Sequence, residues 1–306
     1  DALKQIGAEI TYMEKEGGPP LKISGKKLRG GKVVMDGSVS SQYISAIIMI
    51  APTLSGGLEI ELTGKIASVP YLNMTLKLIE EFGAEYVWDK NRIIIKEGKY
   101  VGKEYTIEAD WSGASYWYQI AALADEADIT IVGLKQKSLQ GDSAIVDLFN
   151  KLGVTTVFSD GSLRITKERN TSLPTELKFD FSDCPDVAQT LASTVAGLGV
   201  KGHFLGLESL RIKETDRIQA IKNELKKFNV HVDILGDDEI IVQPGKFEAA
   251  SSFIDTYDDH RVAMSIAPLC LKQEGRIEIK ESDVVVKSYP DYWKDLSQVG
   301  LVSERI

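Results

Sequence analysis

The residues best equipped for chemistry stand in short clusters ahead of the helical segments of this sequence. Leu210-Arg211-Ile212-Lys213-Glu214-Thr215-Asp216-Arg217 interleaves cations and carboxylates. On a helix starting near Glu214, Lys213 precedes the first turn and Arg217 stands one turn later on the same side. Such a pair can clamp a phosphate or carboxylate, while Glu214 supplies a carboxylate for proton transfer. A capped, solvated helix start laced with ion pairs accounts for the same residues without function. Asp258-Asp259-His260-Arg261 sets two carboxylates, an imidazole and a guanidinium before the apolar run Val262 to Leu271, where burial makes an unpaired charge costly. An N-cap Asp salt-bridged to the Arg is the plain alternative. In Asp183-Cys184-Pro185-Asp186 the carboxylates lie at or beside a helix start, which capping alone explains, although Asp186 would stay ionised there and could serve as a base. Ser40-Ser41-Gln42 offers hydroxyl and amide groups to phosphate oxygens, or simply a Ser cap, and Ser68-Val69-Pro70-Tyr71 opens another helix. Lys287-Ser288 adds a cation before Tyr289-Pro290-Asp291.

The elements that must position these clusters repeat. A helix end followed by a strand recurs around Gly7, Gly83, Gly153, Asn229 and Gly300, at intervals of 70 to 76 residues. Hairpin signals follow three of the five, at Asp89-Lys90-Asn91-Arg92, Ser159-Asp160-Gly161 and Gly236-Asp237-Asp238. Between them lie nearly all-apolar helical runs, Tyr43 to Leu54, Ala114 to Ala124, Val187 to Gly199 and Val262 to Leu271, marked by Gln42, Ala114, Val187 and Arg261 at intervals of 72 to 74 residues. Each period therefore predicts strand, buried helix, strand, amphipathic helix and two strands around a turn, a βαβαββ unit. A helix that is apolar all round must be enclosed, so helices belong inside and sheets outside. The polar clusters would then converge at one end of the inner helices, where free N–H groups favour anions.

Composition sets the limits. A chain of 306 residues supports about two domains at roughly 100 to 200 residues each. With 43% hydrophobic and 26% charged residues it is neither disordered nor fibrous, and it has no apolar run long enough to span a membrane. A net charge of −9 argues against a surface that tracks nucleic acid, so an anionic partner must meet a local basic cluster. Cys184 and Cys270 lack CxxC spacing and read as reduced thiols of a cytoplasmic protein; a nucleophilic role for Cys184 has no basic neighbour in sequence to support it. Three histidines without HExxH spacing offer no metal site. The glycine-rich Gly25 to Gly31 lacks phosphate-loop spacing and is expected to join two strands, and Trp111, Trp117 and Tyr118 are expected in the core.

Asp36-Gly37-Ser38-Val39-Ser40-Ser41-Gln42, Lys213-Glu214-Thr215-Asp216-Arg217, Asp258-Asp259-His260-Arg261 and Lys287-Ser288-Tyr289-Pro290-Asp291-Tyr292 resemble, in order and spacing, the signatures of the 5-enolpyruvylshikimate-3-phosphate (EPSP) synthase family, the 3-phosphoshikimate 1-carboxyvinyltransferases. The resemblance runs the length of the chain. It implies an α/β fold of two domains, each an inside-out α/β barrel of three βαβαββ units. The first is expected to be incomplete: 1–108 as the remainder of an N-terminal domain and 109–306 as a C-terminal domain lacking an edge strand. It implies transfer of the enolpyruvyl group of phosphoenolpyruvate to the 5-hydroxyl of shikimate-3-phosphate with release of phosphate, without metal or organic cofactor. Ser40, Ser41, Ser68, Tyr71 and Lys213 resemble contacts to shikimate-3-phosphate, and Gln42 a group near both substrates. Arg217, Arg261 and Lys287 resemble a phosphoenolpyruvate clamp, with His260 and Asp259 beside it. Asp186 resembles the residue that binds the shikimate hydroxyls and accepts the 5-hydroxyl proton, and Glu214 the one that protonates the enolpyruvyl methylene. Ser209 stands where many relatives have Asn. A monomer in the cytoplasm is expected, with these two small molecules as partners and neither nucleic acid nor membrane. By the repeat period, on the order of 130 residues of the family pattern lie upstream of Asp1, and the 306 residues alone are expected to have little or no transferase activity. The alternatives are UDP-N-acetylglucosamine enolpyruvyl transferase, with the same chemistry, and a non-catalytic clamp-like repeat protein.

Overall fold

The computed structural model describes residues 1–38, 40–66 and 68–305, so Val39 of the first signature lies outside the described residues. The chain divides into two units, Asp1–Thr106 and Ile107–Ile306.

The first unit begins with α1 (Ala2–Gln5) and the antiparallel pair β1 (Glu9–Tyr12) and β2 (Leu21–Ser24). It continues as β3 (Arg29–Asp36), α2 (Ser41–Ile50), β4 (Ser55–Thr63), α3 (Val69–Glu81), β5 (Tyr86–Asp89) and β6 (Arg92–Ile95). The sheet order is β3-β4-β6-β5, with β3 and β4 parallel and the remaining pairs antiparallel. That is one βαβαββ unit; of the glycine-rich segment, 25–28 joins β2 to β3 as expected, while Gly30 and Gly31 lie within β3. β6 buries Ile93 and Ile95 and exposes Arg92 and Ile94, the alternation of a half-solvated sheet.

The second unit runs α4 (Trp111–Leu123), β7 (Ala127–Val132), α5 (Ile145–Asn150), β8 (Thr155–Ser159) and β9 (Ser162–Lys167). Then come β10 (Glu176–Asp180), α6 (Ala188–Leu198), β11 (Lys201–Leu205), α7 (Arg217–Lys226), β12 (Val232–Leu235) and β13 (Glu239–Val242), followed by α8 (His260–Ile266) and α9 (Tyr292–Gln298). The β10-β11-β13-β12 order reproduces that of the first unit. Among the described residues the β7-β9-β8 sheet has no opening strand: the segment before α4 meets it through Ala109 N to Gly133 O (2.9 Å), the counterpart of Gly37 N to Thr63 O and Phe181 N to Leu205 O (2.8 Å each). In the last repeat only the parallel bridge Ile254–Ile279 forms among the described residues.

All five expected helix ends are present. Gly7, Gly83, Gly153, Asn229 and Gly300 have φ between 63° and 95°, and the next N–H returns to the carbonyl five residues back, as in Ala84 N to Ile79 O at 2.9 Å. The inner helices are enclosed: α6 buries Ala188 through Gly197, and α4 and α8 pack against it and each other. Trp111 and Tyr118 lie in this core, while Trp117 is partly buried with its indole N–H on Tyr289 Oη at 3.2 Å.

Candidate active site

Parallel strand pairs decide where the charged side chains gather. β10 and β11 run in the same direction, and α6 and α7 each follow one of them, so both helices start at the carboxyl end of one sheet. Asp186 occupies a 3-10 turn (Pro185–Val187) leading into α6, and Lys213 and Glu214 precede α7. α7 begins at Arg217, three residues later than the spacing predicts, because Asp216 is the N-cap and accepts from Gln219 N at 3.1 Å. α8 packs on α6 and α7 and carries in Asp259, His260 and Arg261.

Arg217 is only 2% exposed. Its Nε and Nη2 donate to Asp259 Oδ2 and Oδ1 at 2.7 and 3.3 Å, Nη2 also to Glu214 Oε2 at 2.8 Å, and Nη1 to Asp186 Oδ1 at 3.2 Å. Four of its five N–H groups thus bind carboxylates of this chain. Arg261 donates through Nη2 to Asp186 Oδ2 (2.9 Å) and through Nη1 to Asp186 O (3.2 Å), with Ser112 Oγ at 3.5 Å. Lys213 Nζ stands 3.6 Å from Asp186 Oδ1, and Lys287 Nζ donates to Glu214 Oε1 at 2.6 Å. Four cations and the three carboxylates Asp186, Glu214 and Asp259 therefore form one network of direct ion pairs. An ionised phosphate or carboxylate can be held here by exchanging with the chain's own carboxylates.

The electrostatics follow from this pairing. Burial opposes ionisation of Asp186, but Arg261, Lys213 and Arg217 outweigh it and hold the carboxyl far below the usual range. Burial also opposes ionisation of Glu214, yet the hydrogen bond from Lys287 and the charge of Arg217 bring it down to about 2. Burial, reinforced by Arg261, lowers the pKa of His260, so the ring is neutral near pH 7. Its Nδ1 is buried without a hydrogen-bond partner among the described residues, 3.9 Å from Asp259 Oδ1. Cys184 is buried, and burial followed by the nearby carboxylates pushes its thiol up, away from nucleophilic use.

The open structural alternatives divide. Asp186 makes no cap hydrogen bond and faces the cations instead. Asp259 does both, accepting from Arg261 N at 2.9 Å and gripping Arg217. In the first unit α2 and α3 follow the parallel strands β3 and β4, so their starts share one sheet end. Ser40 caps α2 through Gln42 N (3.4 Å), Ser41 begins that helix and Gln42 is exposed. Ser68 is nearly buried at the start of α3 with φ 54°, and Tyr71 is half-buried one turn in. Thr75 Oγ1 to Ser45 Oγ at 2.9 Å ties the two helices together.

Sequence reasoning passed over two buried members of the network, Ser112 and Asp142, whose side chains hydrogen-bond to each other beneath Arg261. Both stand in polar clusters at helix starts, and that position was the available signal. Among the described residues no group of three or more His, Cys, Asp and Glu is placed to hold a metal ion. A cavity of about 660 Å³ near Trp117, Ile129 and Val299 contains none of the four cations.

A family profile for EPSP synthase (3-phosphoshikimate 1-carboxyvinyltransferase) matches residues 1–296. The chain is 46% identical over 305 residues to the 3-phosphoshikimate 1-carboxyvinyltransferase of Bacteroides fragilis strain YCH46, covering 98% of this chain and 73% of that protein. It is 35% identical over 304 residues to the enzyme of that name from Sulfurovum sp. strain NBC37-1, covering 98% and 69%. Among solved structures, EPSP synthase from Acinetobacter baumannii superposes with a TM-score of 0.75 at 22% identity, covering 98% of this chain and 69% of that one. The enolpyruvyl transferase NikO from Streptomyces tendae gives 0.72 at 13% identity, covering 98% and 70%. At those identities the structural likeness speaks for the fold alone.

Proposed function

Because the chain belongs to the EPSP synthase family, we propose that it serves the transfer of the enolpyruvyl group of phosphoenolpyruvate to the 5-hydroxyl of shikimate-3-phosphate. The observation that carries the reading is the single network joining Asp186, Lys213, Glu214, Arg217, Asp259, Arg261 and Lys287 where α6, α7 and α8 begin. Neither UDP-N-acetylglucosamine enolpyruvyl transfer nor a clamp-like role is favoured by the family match.

Lys287, Arg261 and the remaining Nη1 hydrogen of Arg217 bind phosphoenolpyruvate. Lys213, with Ser40, Ser41, Ser68 and Tyr71, binds shikimate-3-phosphate, and Gln42 serves both. Asp186, held ionised by three cations, accepts a hydrogen bond from the 5-hydroxyl and orients its oxygen toward C2 of phosphoenolpyruvate. The oxygen adds to C2 as its proton passes to Asp186, while the methylene C3 takes a proton from Glu214, giving a tetrahedral intermediate. Loss of a C3 proton to Glu214 and cleavage of the bond from C2 to the phosphate oxygen then release phosphate, which carries away the proton held by Asp186. Glu214 is the acid for the first step and the base for the second. Ionised beside Lys287 it cannot donate, but an anion that takes Lys287 removes the hydrogen bond that lowers its pKa, and the anion's own charge raises it further. Substrate binding thereby prepares the acid. His260, neutral and buried, stands beside the clamp.

We assign 1–108 to an N-terminal and 109–306 to a C-terminal enolpyruvyl transferase domain; the division after Thr106 supports this. We take the protein to be a cytosolic monomer with Cys184 and Cys270 as free thiols. The test is phosphate release from phosphoenolpyruvate that depends on shikimate-3-phosphate, measured on the full-length polypeptide of which these residues are all or part. Lys287→Met should raise the KM for phosphoenolpyruvate more than about tenfold. No such release, or release with UDP-N-acetylglucosamine instead, overturns the reading.

A further inference from the structure

Glu224 is a fully buried carboxylate that no step of the reaction uses. It stands seven residues after Arg217 on α7, two turns and about 10 Å farther along the same face. Its Oε1 accepts from Tyr257 Oη at 2.8 Å, and its Oε2 from Asp255 N at 3.1 Å and Lys227 Nζ at 2.8 Å. Lys227 Nζ in turn donates to Phe253 O at 3.0 Å and Asp255 Oδ2 at 3.1 Å. The segment from Phe253 to Tyr257 is thus tied to the second half of α7 by one carboxylate and its lysine.

The segment has reason to be tied. Tyr257 and Asp258 both have φ 55°, in the left-handed region that non-glycine residues enter only at an energetic cost. Asp259 N closes the turn onto Thr256 O at 2.9 Å, and the next residues are the ones that face the site. α7 therefore holds this stretch at two points: Arg217 grips Asp259 beyond the strained pair, and Glu224 grips Asp255 and Tyr257 at and before it. If the second grip is released, the two strained residues can relax, and Asp259 and Arg261 shift with them.

We propose that Glu224 is a positioning residue: it fixes the strained Asp255–Asp258 turn and, through it, the placement of Arg261 against Asp186 and of Asp259 against Arg217. The proposal rests on the reading of Arg261 as a ligand of phosphoenolpyruvate. In the full-length enzyme Glu224→Gln keeps the shape but replaces one acceptor oxygen by a donor facing Tyr257, Asp255 N or Lys227. The KM for phosphoenolpyruvate should rise about tenfold while kcat per folded molecule changes less than about threefold. Tyr257→Phe removes the bond to Oε1, together with the long one from exposed Asn223 Nδ2 (3.4 Å), and should raise the same KM about two- to threefold. A brace that merely maintained the fold would instead lower the melting temperature and the folded fraction, with KM unchanged. Wild-type KM in folded Glu224→Gln and Tyr257→Phe overturns the proposal; should Glu224→Gln fail to fold, Tyr257→Phe decides alone. An active wild type with unchanged variants defeats this inference only, whereas a wild type without shikimate-3-phosphate-dependent phosphate release defeats it together with the functional reading.

Discussion

Arg217 donates to three carboxylates while almost wholly buried. Removing one partner of such a group costs more than forming the pair gains, because the partner left behind is a buried, uncompensated charge. Arg217→Met should therefore lower the unfolding free energy by about 3–5 kcal/mol in urea titrations, chiefly through Asp259, which has no exposure. Surface pairs such as Arg164–Asp128, open to solvent on both sides, should contribute far less. Glu214 gives the pH dependence. Its folded pKa lies below its ordinary value of 4.5, so its pairing stabilises the fold above that value and the contribution is lost as pH falls toward about 2. The stability difference between wild type and Glu214→Gln should thus be full at pH 6 and shrink through acid, as followed by denaturant melts at several pH values. The cation and carboxylate types of this site were legible in the sequence. Their pairing was not, since Asp186 and Arg261 are 75 residues apart and only the packing of α8 on α6 brings them together.

At the far end of the same helices the chemistry is reversed. Lys167, the last residue of β9, donates to Ala122 O at 2.6 Å and Ala124 O at 2.7 Å, where α4 runs out of N–H partners for its carbonyls. Burial lowers the pKa of this lysine, but both bonds are to the C-terminal, negative end of the helix, which favours its charge. Lys167→Met should cost about 1–3 kcal/mol in chemical denaturation and leave the KM for phosphoenolpyruvate unchanged, because the site lies at the opposite helix ends. Helix ends were the most legible elements: a left-handed glycine or asparagine closes its turn with residues only a few positions away. The start of α7 was less so, because the charged run Lys213 to Arg217 carries two acids two residues apart, Glu214 and Asp216, and only Asp216 reaches the amide of Gln219. That the last repeat pairs only through the Ile254–Ile279 bridge among the described residues depends on pairing across the sheet, which local pattern does not encode.

For the molecule as a whole, the first unit runs out toward the division after Thr106 through the exposed stretch 96–107, which forms no regular element and includes Val101 at 63% and Ile107 at 84% exposure. Brief trypsin treatment should cut first after Lys99 or Lys103, read by intact mass, while the cores on either side remain protected; early cuts inside β10 to β13 would contradict two units with separate cores. The net charge of −9 describes the outer surface, and the four cations of the site coexist with it because they are concentrated where three helices begin. By itself the sequence determined the repeating unit, its period and the residue types at each helix start, since hydrophobic periodicity and left-handed helix ends are local properties of the chain. Only the tertiary structure decided which carboxylate meets which cation, that Arg217 is largely occupied by its own chain, and that Glu224 braces a strained turn. Those outcomes depend on burial and on contacts between residues tens of positions apart, where desolvation forces each buried charge to find a partner.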